Sequence, residues 1–124
     1  MDLTLQSPAG HQVIERYGAR GFRVAGVIHR GAILVFPDRT EPWVAADAST
    51  VTFESLAPVV QYGGVQILLL GLGRRMPAVP PGLRTKLRAA GIILEPMDTG
   101  AACRTYNVLV AEERRVAAAL LPPV

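Results

Sequence analysis

Short apolar runs broken by glycines fill the first half of the chain. The runs cover residues 11–16, 21–28 and 31–36, and they are punctuated by Gly18, Gly21, Gly26 and Gly31. Partial alternation of apolar and polar positions is typical of strands, and glycines favour the turns between them. The pattern predicts a β-meander, then a turn at 37–39 and an extended piece that begins at 42–44, with Trp43 as a lid on the core.

The second half changes to an alternation of helices and apolar strands. The pattern predicts, in order, a helix at 52–61, a strand at 65–70, a helix at 83–90, a strand at 92–96, a helix from Thr99 and a strand at 114–121. Strands joined by a helix usually run parallel, so we expect an α/β domain with a βαβ-type C-terminal half. The pattern leaves open whether the meander extends the same sheet or packs as a second one.

The last predicted helix carries polar residues in an otherwise apolar stretch. Its helical period groups the core candidates on one side: Ala102, Cys103, Tyr106, Leu109 and Val110. Arg104, Thr105 and Asn107 fall on the opposite side, so we expect them to face away from the sheet. The Arg104 guanidinium then needs a carboxylate or carbonyl partner, either within the protein or on another protein. Cys103 is expected to be a buried apolar residue, with a reactive thiol as the alternative.

Two segments beside the apolar strands are candidates for a binding site. Gly71 and Gly73 follow the first of these strands, and Arg74 comes next; glycines there let the backbone turn and let a ligand approach. Asp98 and Thr99 begin the last helix, with Thr99 as the expected N-cap and Asp98 beside the positive end of the helix dipole. Both residues are explained by helix stability alone.

The expected parallel pairing brings these two segments to one edge of the sheet. Free N–H groups at the helix start and the neighbouring arginine would then form a shallow pocket for an anion. The alternative is a tight turn and a helix cap that hold no ligand. The third glycine of a dinucleotide fingerprint is absent, because positions 74–76 are Arg-Arg-Met, and the sequence contains no phosphate-binding loop.

Composition restricts the class of function. With 124 residues, of which 50% are apolar and 19% charged, the chain fits a single globular domain covering residues 1–124. One cysteine excludes an intramolecular disulfide and a cysteine-based zinc site within one chain. His11 and His29 stand outside any metal-ligand spacing, and no nucleophile elbow is present, so we expect no metal and no cofactor. The sequence supports no named reaction, which favours a non-enzymatic protein and leaves an unrecognised enzyme as the alternative.

The net charge of +3 is unevenly distributed. A stretch without acidic residues before Glu95 contains Arg74, Arg75, Arg84, Lys86 and Arg88. Such a patch attracts an anionic ligand or an acidic protein surface. Aromatic stacking platforms are scarce near it, so no nucleic-acid partner is expected. Residues 1–8 lack the segments of a secretory signal, and the apolar run 67–72 is too short to span a bilayer, so we expect a cytoplasmic protein without a transmembrane segment.

The C-terminal residues resemble a known family. Segments 97–99, 101–109 and 114–120 look like the C-terminal signature of the domain of unknown function 498 family, which includes mitochondrial respiratory complex I assembly factor 3. Earlier features follow in the same order: Tyr17-Gly18, Gly21-Phe22, residues 31–35, Trp43 and the strand that ends at Gly71-Leu72-Gly73. The resemblance covers nearly the whole chain; the C-terminal motif is specific, whereas the glycine-rich pieces are individually weak.

This resemblance implies a compact three-layer α/β domain with a mixed central sheet, and the arginine-rich composition looks bacterial. It brings no established enzyme activity or catalytic set. Our leading hypothesis is a non-enzymatic binding module, an accessory factor for assembly of a respiratory or other membrane complex, with a complex subunit as partner and Arg104, Thr105 and Asn107 at the contact. The second hypothesis is a small-molecule anion-binding protein or unrecognised enzyme that uses Gly71, Gly73, Arg74 and Thr99.

Overall fold

The computed structural model describes Leu3 and residues 10–75 and 78–123. The strands in these ranges are β1 (Ile14–Gly18), β2 (Gly21–Val24), β3 (Val27–Arg30), β4 (Ile33–Phe36), β5 (Arg39–Pro42), β6 (Ile67–Leu72), β7 (Ile93–Met97) and β8 (Val116–Leu121). The helices are α1 (Ala57–Tyr62), α2 (Leu83–Ala89) and α3 (Thr99–Ala111). The expectation about a secretory signal concerns residues 1–8, which apart from Leu3 lie outside the described residues.

A five-stranded mixed sheet forms the centre of the fold, in the order β5-β4-β8-β6-β7. β6 and β7 are parallel, as their helical connection predicts, and Leu68 lies beside Leu94. β8 inserts between β4 and β6, antiparallel to the first and parallel to the second. The β8 sequence is apolar throughout and its residues are all buried, because both faces of this middle strand are covered.

The predicted meander divides between two sheets, which resolves the alternative that the sequence leaves open. β1, β2 and β3 form a separate antiparallel sheet, whereas β4 and β5 extend the central one. The predicted run 21–28 is split by a two-residue turn at Ala25 and Gly26, with φ of 47° and 81°. Two successive positive φ values are typical of the tight hairpin turn that joins adjacent antiparallel strands.

Apolar side chains fill two cores, one on each face of the central sheet. Successive strand residues point to opposite faces, so Leu68 and Leu70 pack towards α1 and α2, whereas Leu69 packs towards α3. The small sheet covers the same face as α3 and contributes Phe22 and Val24 to that second core. The arrangement is the three-layer α/β architecture with a mixed central sheet that the family resemblance implies.

Several predicted boundaries are wrong by a few residues. The predicted helix 52–61 is a 3-10 turn (Glu54–Leu56) followed by α1, whose first turn accommodates Pro58 because that position needs no backbone donor. The predicted strand 65–70 is β6, which reaches Leu72 and therefore contains Gly71. Pro42 ends β5 rather than opening an extended piece, and the last strand begins at Val116.

Trp43 acts as the predicted lid on the first core. It is buried, and its indole N–H donates a 2.8 Å hydrogen bond to the Ser55 carbonyl oxygen. Because a buried indole needs an acceptor, this bond fixes the ring against the loop that precedes α1.

Candidate functional site

The start of α3 and the Gly71–Gly73 segment meet at one edge of the central sheet, as the parallel pairing of β6 and β7 predicts. The Thr99 N–H donates to the Gly73 carbonyl oxygen at 2.8 Å. The Thr99 hydroxyl accepts from the Gly73 N–H at 2.8 Å and donates to the Leu121 carbonyl oxygen at 2.6 Å. Thr99 is fully buried, so its polar groups join β6, β8 and α3 to one another.

Gly71 is required by this close approach. A Cβ atom at position 71 would lie 3.1 Å from the Thr99 Cα and 2.9 Å from a Leu120 side-chain carbon. The first of these is backbone and has little freedom to move away. The glycine that sequence reasoning attributes to a turn or a ligand therefore makes room for the first turn of α3.

Asp98, rather than Thr99, is the N-cap of α3, which corrects the sequence prediction. The Asp98 backbone is extended, and its carboxylate accepts a 2.9 Å hydrogen bond from the Ala101 N–H. Aspartate at this position satisfies an otherwise unpaired amide and lies favourably in the helix dipole. The N–H groups of Thr99 and Ala101 are thus bonded within the chain, and the negative Asp98 stands where the predicted anion would bind.

Arg104 is exposed and borders a cleft at this edge. One of its guanidinium nitrogens donates to the Tyr17 hydroxyl at 3.3 Å. The cleft has a volume of about 400 Å³, and its lining includes Tyr17, Gly73, Arg74, Asp98 and Arg104. Four of the predicted site residues therefore share one surface with a β1 tyrosine, and the arginines outnumber the single carboxylate.

Asn107 lies inside the fold, which corrects the expectation that it faces away with Arg104. Its amide nitrogen donates to the Ile14 carbonyl oxygen, and its amide oxygen accepts from the Ile14 N–H, both at 2.9 Å. The side chain therefore supplies β1 with the pair of bonds that a neighbouring strand would give. Thr105, the third polar residue of the predicted group, is half-buried and lies outside the cleft lining.

Cys103 is buried in the second core together with Ala102, Tyr106 and Val110, as the helical period predicts. Burial raises the pKa of the Cys103 thiol to about 12, because a thiolate there would lose its hydration. The thiol is therefore protonated at neutral pH, which weighs against the alternative of a reactive cysteine.

The predicted basic stretch does not form one surface. Arg74 lines the cleft described above, whereas Lys86 and Arg88 stand on α2, which covers the opposite face of the central sheet. Arg84, also on α2, donates a 2.8 Å hydrogen bond to the Leu94 carbonyl oxygen. Charges that are near in sequence are thus divided between two faces of the molecule.

A second group of arginines, which sequence reasoning missed, lies on the outer face of the small sheet. A hollow of about 520 Å³ is lined by side chains that include Arg16, Arg20, Arg23 and Arg30. Both hollows share the 17–19 segment in their linings, so this segment separates the two groups of arginines. Strand alternation from the buried Phe22 could have identified this face, because it places Arg23 opposite the core.

Neither a metal-ligand cluster nor a membrane-spanning helix occurs in the described residues. In residues 10–75 and 78–123 no three His, Cys, Asp or Glu side chains are grouped closely enough to hold a metal ion. The longest α-helix in these ranges is α3, with 13 residues, and none has the length and apolar character needed to cross a lipid bilayer.

Comparison with known proteins identifies relatives along most of the chain. The family model described as "Protein of unknown function (DUF498/DUF598)" matches residues 14–121. An uncharacterized protein of Rhodobacter capsulatus is 43% identical over 114 residues, which are 92% of this chain and 87% of that protein. NADH dehydrogenase (ubiquinone) 1 alpha subcomplex assembly factor 3 of Xenopus tropicalis is 34% identical over 111 residues, which are 89% of this chain and 61% of that protein.

Solved structures of similar proteins have the same fold. The crystal structure of a protein described as an outer membrane protein from Bartonella henselae has a TM-score of 0.85 and 36% identity, covering 93% of this chain and 98% of that one. The solution structure of a Bordetella pertussis protein described as a Mth938-like domain has a TM-score of 0.81 and 29% identity, covering 98% and 92%. These likenesses confirm the predicted fold class.

Proposed function

This chain belongs to the DUF498/DUF598 family, and we propose that it is a non-enzymatic binding module that assists the assembly of a respiratory membrane complex. The proposal is supported by the similarity of this chain to complex I assembly factor 3 of Xenopus tropicalis. The aligned segment spans 61% of that factor's length, so it is similar to part of the factor. The partner we propose is an acidic surface on a subunit of the complex.

The observation that carries this proposal is the exposed pair Arg74 and Arg104 at one cleft. A guanidinium presents several N–H donors in a plane and matches a carboxylate well. Within the described residues, one hydrogen bond from Arg104 goes to the Tyr17 hydroxyl, which is a neutral acceptor. Since Asp98 is the one carboxylate that the described residues contribute to the cleft lining, a carboxylate of the partner would complete the pairing of these arginines.

Affinity capture tests the proposal directly. The tagged protein is crosslinked in its native cells, mildly solubilised and analysed by mass spectrometry beside Arg104→Ala. We expect specific recovery of membrane-complex subunits, weakened by the substitution, because the guanidinium contact is lost. Recovery that is absent, or that is equal for a folded Arg104→Ala variant, would contradict the assignment.

A second candidate is the binding of a small anion in the same cleft. It is favoured by the joint presence of Arg74 and Arg104, and opposed by Asp98 and by the bonded amides at the start of α3. Thermal-shift measurements with inorganic phosphate, nucleotides and simple carboxylates test it. A ligand at 100 times its dissociation constant stabilises a protein by about 2.7 kcal/mol, so a flat response to these classes would remove this candidate.

A further inference from the structure

The small sheet ends in an edge strand, β3. In the order β1-β2-β3, β3 pairs with β2 and has no further strand beside it within the described residues. The hairpin turn is closed by Val24 and Val27, and the Gly31 N–H donates to the Arg20 carbonyl oxygen at 3.0 Å. Hydrogen-bonded and non-hydrogen-bonded pairs alternate along an antiparallel ladder. The N–H and C=O groups of Ile28 and Arg30 therefore point away from β2.

The side chains beside this edge combine apolar and basic character. Ile28 is 73% exposed and Val27 is 55% exposed. The register aligns Arg16, Arg23 and Ile28 in one row across the three strands, and Gly18, Gly21 and Arg30 in the next row. All six positions lie on the face opposite the buried Phe22.

Charge decides what kind of chain would fit beside β3. Four arginines line the hollow on this face. The acidic Glu15 forms a salt bridge with one of them, Arg23, at 3.3 Å. A second copy of this protein would bring its own arginines to the same edge and be repelled. A chain with alternating carboxylates would instead place them on the face that carries Arg23, Ile28 and Arg30, and its intervening side chains on the opposite face, beside Val27.

We propose that β3 is a docking edge for an extended acidic segment of a partner protein, which adds to the small sheet as a further strand. The inference rests on the proposed binding function and specifies how a partner is held. Backbone hydrogen bonds to Ile28 and Arg30 would give affinity, as in other cases of strand addition, and the arginines would select acidic segments.

A defined peptide tests this edge. The probe is a fluorescein-labelled peptide of about ten residues that alternates glutamate and threonine, long enough to pair along a typical strand. In amide NMR spectra we expect the largest shifts along β3 and slowed hydrogen exchange at Ile28 and Arg30, whose N–H groups gain acceptors. Shifts confined to another surface would overturn the proposal.

Substitutions at the edge separate backbone pairing from charge. Ile28→Pro removes the outward N–H but no bond to β2, so we expect at least about fivefold weaker binding, whereas Ile28→Val, which keeps the N–H, stays within about twofold. Arg30→Glu should weaken binding about tenfold, while Arg88→Glu on α2 has no effect. If Ile28→Pro fails to fold, exchange protection and Arg30→Glu decide the outcome.

Three outcomes would contradict the proposal. These outcomes are equal binding by Ile28→Pro and Ile28→Val, self-association through β3, and binding of phosphatidylglycerol vesicles without binding of the peptide. Affinity capture distinguishes this inference from the proposed function. If membrane-complex subunits are recovered equally by the wild type and Ile28→Pro, the docking edge is wrong and the assembly function stands.

Discussion

Polar residues on α3 serve two different ends, and the contrast separates the interior of the molecule from the surface that we propose binds a partner. Thr99 and Asn107 point inward, where each makes paired hydrogen bonds to backbone groups of distant strands. Arg104 stands at the surface, with a longer bond to a tyrosine hydroxyl, beside a second arginine. The first two residues hold layers together, and the third stands on the surface that we propose binds a partner.

The comparison teaches that the residue type at a helix position does not predict whether its side chain points towards the core or towards the solvent. A threonine and an asparagine in an apolar helix have the same appearance in sequence as residues of a binding site. Their role follows from which backbone groups lie opposite them. A buried backbone group without a partner destabilises the fold by about 1–3 kcal/mol, so such contacts are expected to dominate stability but not binding.

The largest expected effect is that of Thr99→Val. The substitution keeps the shape but leaves the Gly73 N–H and the Leu121 carbonyl oxygen without their hydroxyl partner, so we expect a loss of about 3 kcal/mol in the free energy of unfolding. Thr105→Val on the same helix is the control, with an expected change below about 1 kcal/mol. Urea denaturation measures both, and equal losses would remove the structural distinction between these threonines.

A somewhat smaller loss is expected for Asn107→Ala. Both bonds to the Ile14 backbone disappear at a half-buried position where water can partly replace them, so we expect about 2 kcal/mol. Hydrogen exchange should accelerate first at β1, because the side chain acts as that strand's neighbour. Unchanged exchange of the Ile14 amide would contradict the role assigned to this asparagine.

Gly71→Ala should cost about 1–2 kcal/mol, since its added methyl group would press on the Thr99 backbone. Gly18→Ala is the matched control, because a Cβ at position 18 has nothing within 4 Å, and we expect it to be neutral within about 0.5 kcal/mol. Thermal unfolding followed by circular dichroism measures both. A neutral Gly71→Ala would show that the close approach is easily relaxed.

The smallest expected change in stability is that of Arg104→Gln. The side chain is exposed and its bond to Tyr17 is long, so we expect a change below about 0.5 kcal/mol. The same variant should lose recovery of membrane-complex subunits. A large loss of stability would instead place Arg104 among the residues that hold the fold together.

Local patterns along the sequence predict much of this fold. The parallel pairing of β6 and β7 follows from their helical connection, and the buried side of α3 follows from its period. The Asn107 contact to Ile14 does not follow, because it joins residues 93 positions apart. Whether the Asn107 side chain points inward depends on where the small sheet packs. The turn at Ala25 is also hidden, since alanine rarely adopts the positive φ found there.

The candidate site is only partly visible in the sequence. The meeting of Gly73 with Thr99 follows from strand order, and with it the cleft near Arg74. The amides of Ala101 and Thr99 donate hydrogen bonds to Asp98 and to the Gly73 carbonyl oxygen. These bonds depend on distances in the folded protein that the spacing of residues along the sequence does not predict. The arginines of β1, β2 and β3 become a single surface only because the hairpins align them in register.

The most direct test of the proposed binding surface is a matched pair of charge reversals at two exposed sites. Arg74→Glu with Arg104→Glu inverts the cleft, and Lys86→Glu with Arg88→Glu makes the same charge change on α2, across the central sheet. Recovery of membrane-complex subunits is measured for both after their unfolding midpoints are shown to match. We expect recovery to be lost for the cleft variant and kept for the α2 variant. Equal recovery by the two would contradict the binding surface at the start of α3.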